Sequence, residues 1–173
     1  MNASKSRPSG LDRVAEDLFN YAIDREDIKW LMEKLPEAAE IQRSRVEFEL
    51  QILKIISVGW SISFYLDDRS EKTVLLDGFW RAIHEFSGSL STTTGLVTGH
   101  EIDYFQTLKE RLDMYVNALA DQPQAPEPAR VIGPAFARMC GNENDLFAFM
   151  TGSKMFISAL GRVKAYLEAT GLL

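Results

Sequence analysis

Residues 52–66 read ILKIISVGWSISFYL, fifteen positions in which Lys54 is the only charge and Ser57, Ser61 and Ser63 the only serines. A bilayer span needs about 20 predominantly apolar residues, so this run reads as a helix buried inside a protein. At 100° per residue, Glu40, Arg43, Glu47, Lys54, Ser57, Ser61, Tyr65 and Asp68 fall on one arc about 100° wide. Leu53, Ile55, Ile56, Trp60, Ile62, Phe64 and Leu66 fill the remainder. A helix apolar over so wide an arc is surrounded by other helices. The spacing predicts a central post, started by Pro36 in its first turn and running to about Asp67, roughly 30 residues and about 45 Å long.

Working outward from this post, the 3.6-residue period persists on both sides. Towards the N-terminus, Leu11, Val14, Leu18, Phe19 and Ala22 mark a first helix that stops near Asp24. Asp24 is placed to accept from the Asp27 N–H as an N-cap, with Ile23 and Ile28 at staple positions. A second helix carries Ile28, Leu31, Met32 and Leu35 and halts at Pro36. Beyond the post, Ser70 is expected to cap a fourth helix with Leu75, Leu76, Phe79, Trp80, Ile83, Phe86 and Leu90 inward. Gly88 to Gly99 is small and hydroxylated and reads as a loop. Thr98 and Glu101 have capping-box spacing, and Val97 and Ile102 staple spacing, so a fifth helix is expected to start at Thr98. Its inward residues are Ile102, Phe105, Leu108, Leu112, Tyr115 and Leu119.

Residues 121–128 hold three prolines and form a connector. Val131 to Cys140 is a short apolar segment interrupted by Pro134, with Gly141 able to end it in the left-handed conformation. A last helix from about Glu143 to Ala169 packs Leu146, Phe149, Met150, Ile157, Leu160, Val163 and Leu167. Its Gly152, Ser158, Gly161 and Ala165 admit close approach of another backbone, in the monomer or in a homo-oligomer. No segment alternates like a strand. The expected fold is all-α: residues 1–10 flexible, then one bundle of six to seven helices over 11–173 with a long central helix.

Composition is that of an ordinary globular chain: 173 residues, 46% hydrophobic, 25% charged. The net charge of −6 and scattered basic residues oppose phosphate backbones and anionic lipid, so neither nucleic acid nor membrane is an expected partner. Residues 1–10 lack the apolar stretch of a signal peptide, and one cysteine makes no internal disulfide, so a cytoplasmic location is expected.

Chemistry-bearing patterns are sparse. A bundle-type metal site requires Glu-x-x-His, but Arg81 precedes His84 and Val97 precedes His100 at that spacing. Asp77, Arg81 and His84 share a helix face opposite the apolar stripe and read as solvated surface. No metal and no cofactor is expected. Cys140 reads as a small buried hydrophobe rather than a nucleophile. Ser91 to Gly95 lacks the lysine and glycine spacing of a phosphate loop. Glu37, Glu40, Glu47 and Glu49 have Arg43 and Arg45 among them, as surface ion pairs do.

Two readings of function remain. The first is a non-enzymatic module acting through protein contacts (an adaptor, regulator or chaperone-like binder), itself a candidate for self-association. The second is a bundle that binds a small, largely apolar molecule, or an enzyme, with its pocket along the third helix. The candidate site residues are Lys54, Ser57, Trp60, Ser61, Phe64 and Tyr65. They form either a thin solvated strip, with Lys54 reaching to water, or a cleft whose hydroxyls and cation orient a ligand against Trp60 and Phe64.

Overall fold

The computed structural model describes residues 10–37, 41–98 and 102–173. Among them lie seven helices and no strand: α1 (Gly10–Ile23), α2 (Glu26–Met32), α3 (Arg43–Tyr65), α4 (Glu71–Thr98), α5 (Tyr104–Asp121), α6 (Ala129–Met139) and α7 (Leu146–Ala169). The fold is an all-α bundle. All six other helices pack on α3, and every residue from Ile52 to Gly59 is buried. The apolar run therefore is the central post, and one apolar core extends from Val14 in α1 to Leu167 in α7. No helix among the described residues is long and apolar enough to cross a membrane.

Several boundaries differ from the sequence expectation. The central helix begins at Arg43, not Pro36, and α4 with its 28 residues is longer. Gly88 to Thr98 is helix rather than loop. The hydroxyls that favoured a loop are accommodated by bonding back one turn: Ser87 to Ile83 O, Ser91 to Ser87 O, Thr92 to Gly88 O and Thr93 to Ser89 O, at 2.7–3.0 Å. Thr98 thus ends α4 instead of starting α5. The cap of α5 is Asp103, whose carboxylate accepts from the Gln106 N–H at 2.9 Å. Glu101 of the expected capping box, His100, Glu40 and residues 1–9 lie outside the described residues.

Pro134 does not interrupt α6. It removes one helical bond and an approach to the Arg130 carbonyl, and burial of Val131, Ile132, Ala135 and Phe136 outweighs that loss. Gly141 does end the helix, at φ 98°, with its N–H on Arg138 O and the Asn142 N–H on Ala137 O. Asp24 accepts from the Glu26 N–H at 2.9 Å, one residue earlier than expected, and α2 follows.

On α7 the expected inward face is partly reversed. Leu146, Met150 and Ile157 are exposed. The buried line is Ala148, Gly152, Met155, Phe156, Ala159 and Val163, where small side chains let α6 and α3 approach more closely than a leucine face would. Gly152 abuts the Phe136 side chain of α6, whereas Gly161 has open space above it.

Candidate functional site

The six candidate residues of α3 separate into two groups. Lys54, Ser57 and Ser61 have no exposed surface at all, so the line they form is not a solvated strip. Lys54 does not reach water: its Nζ donates to Asp24 O at 2.9 Å, lies 3.2 Å from Asp27 Oδ2, and sits 4.3 Å from the centre of the Tyr21 ring. Ser57 donates to Leu53 O at 2.7 Å and Ser61 to Ser57 O at 2.6 Å, so both hydroxyls are satisfied by their own helix. Trp60, Phe64 and Tyr65 come together nearer the surface. The Trp60 and Phe64 rings stack at 4.8 Å, Tyr65 meets Phe64 edge-on, and Trp60 touches Phe156 of α7. Trp60, Ser63, Phe64 and Asp67 line a hollow of about 280 Å³.

A second buried polar cluster joins α3 to α5. Glu49 is 2% exposed and receives a forked contact from Arg111 on α5, Nε at 3.0 and 3.2 Å and Nη2 at 2.8 Å. The carboxylate hydrogen bonds push the Arg111 guanidinium pKa further up. Tyr115 is buried nearby, its hydroxyl without a hydrogen-bond partner, and desolvation drives its pKa upward. Desolvation, then the charge of Glu49, pushes the Cys140 thiol up to about 12, which keeps it un-ionised and a poor nucleophile at neutral pH. The only trace of this cluster in the sequence is the line Tyr104, Leu108, Arg111, Tyr115 along one face of α5.

Two surface features complete the description. Between α2 and α7 runs a groove of about 300 Å³, lined by Trp30, Leu31, Lys154, Met155, Ile157 and Ser158, with Asp27 beside them. Trp30 is 54% exposed and Ile157 57%, while Met155 and Leu31 form a buried floor. The Lys34 ammonium lies 3.4 Å over the Trp30 ring. Residues 146–167 contain Lys154, Arg162 and Lys164 and no acid, in a chain whose net charge is −6. The second feature is a cleft of about 530 Å³ where the end of α1, the first half of α3, the later part of α4 and the start of α5 converge.

Among the described residues no three His, Cys, Asp or Glu side chains are grouped to hold a metal. His84 is exposed, edge-on to Phe105 at 4.8 Å. Comparison with known proteins finds no match: no family model fits the chain, and no curated protein or solved structure is similar to it.

Proposed function

We propose that the chain is a non-enzymatic helical interaction module whose docking face is the groove between α2 and α7. The observation that carries this reading is a half-exposed tryptophan, Trp30, set beside the equally exposed Ile157 over a buried apolar floor. Tryptophan in such a setting is a common energetic anchor of protein interfaces. A hollow of about 300 Å³ is at the small end for a cofactor-sized ligand and takes one large side chain of a partner. Leu146 and Met150 extend the apolar ridge along α7.

Charge selects the kind of partner. The one acid in the groove's lining, Asp27, is partly offset from below by Lys54 at 3.2 Å, an ammonium that also lies 3.9 Å from Asp24. The rims carry Lys34 and Lys154, so the face is positive in an acidic protein. An acidic amphipathic helix with an apolar anchor is its complement. A photo-crosslinking amino acid at Ile157, compared with one at exposed Thr73 on α4, tests this in the native host. A protein adduct specific to position 157, bearing an acidic helix and lost on Trp30→Asp, supports the reading. An adduct between two copies of this chain would replace the acidic partner with self-association through the same face. Absence of any adduct enriched over the Thr73 control rejects the docking face.

A further inference from the structure

We draw no further inference here: the strongest candidate, the apolar cleft of about 530 Å³ where the end of α1, the first half of α3, the later part of α4 and the start of α5 converge, has its Arg25 paired with its own Glu47, and nothing in the structure shows what covers it.

Discussion

Two glycines on α7 should respond with opposite sign to the same substitution. A methyl group built on Gly152 would stand 2.6 Å from both Cβ and Cγ of Phe136 and 2.7 Å from its Cδ1. Carbon atoms pack at about 3.5–4.0 Å, so the overlap is about 1 Å. Phe136 is fully buried, and the obstructing atoms include its Cβ, which no rotamer change can move away. Relief requires α6 and α7 to separate, and with a fixed Cβ in the way the cost falls in the upper part of the overpacking range, about 2–3 kcal/mol. Alanine gains about 1 kcal/mol over glycine in a helix interior, which offsets only part of that. At Gly161 nothing lies within 4 Å, so the helical gain stands alone, about 0.5–1 kcal/mol. Gly152→Ala should therefore lose about 1–2 kcal/mol and Gly161→Ala gain up to about 1 kcal/mol, read from urea denaturation followed by far-UV circular dichroism. A Gly152→Ala protein as stable as wild type would mean that α6 and α7 are not in the close contact described.

Glu49→Gln should cost about 2–3 kcal/mol, less than a fully buried pair because Arg111 keeps a quarter of its side chain in water, and Glu49→Met with Arg111→Met should recover most of it. Both are measured by urea denaturation, and a double variant no better than the single would refute the pairing. The Cys140 thiol should resist alkylation in the native protein at pH 8 and react fully in urea. Its folded pKa of about 12 lies above the ordinary 9.0, so its contribution is intact below pH 9 and is lost between about pH 9 and 12, as the unfolded chain ionises first. Thermal melts of wild type and Cys140→Ala across that range should diverge above pH 9, wild type falling faster; parallel curves would place the thiol in water. Asp103→Ala should cost about 1 kcal/mol as the cap of α5, against little for Thr93→Ala, and equal losses would move the helix start. Ser61→Ala should cost under about 1 kcal/mol, because the Ser57 carbonyl it bonds also belongs to the helix ladder, while Ser61→Leu should be strongly destabilising for want of space. A Ser61→Leu protein with wild-type stability would put that side chain in a cleft after all.

What could be read from the sequence depended on whether a residue's partner was local. The apolar run of α3 stated its own burial, and Gly141 stated its own left-handed turn, because both follow from the residues themselves. The tail of α4 did not. Ser87, Ser91, Thr92 and Thr93 are the composition of a loop, and only the back-bonding geometry of each hydroxyl makes them compatible with a helix. The pairing of Glu49 with Arg111 joins positions 62 apart, and no spacing rule reaches that far. Tryptophan is highly buried on average, and nothing in the local sequence sets Trp30 apart. Yet α2 has seven residues and one inward face, which Ile28, Leu31 and Met32 already occupy, so the tryptophan turns outward.

The line Lys54, Ser57, Ser61 shows why a polar arc on a helix wheel is not a measure of exposure. The line is where the periodicity put it, but it points into the bundle. Serine can be buried without a partner on another element, because its hydroxyl returns to the carbonyl one turn back. Lysine cannot, and Lys54 is tolerated at the centre because the turn between α1 and α2 brings Asp24, and the first turn of α2 the Asp27 carboxylate, to its ammonium. That contact has a consequence at the surface. Lys54 offsets part of the charge of Asp27 from within, its one ammonium being shared with Asp24, while Lys34 and Lys154 stand beside Trp30. If the α2–α7 groove is the docking face proposed above, the buried lysine would act on it only indirectly, through its charge. Lys54→Met would take the buried cation away from Asp24 and Asp27 and should destabilise the fold in urea denaturation; a variant of wild-type stability would refute the pairing.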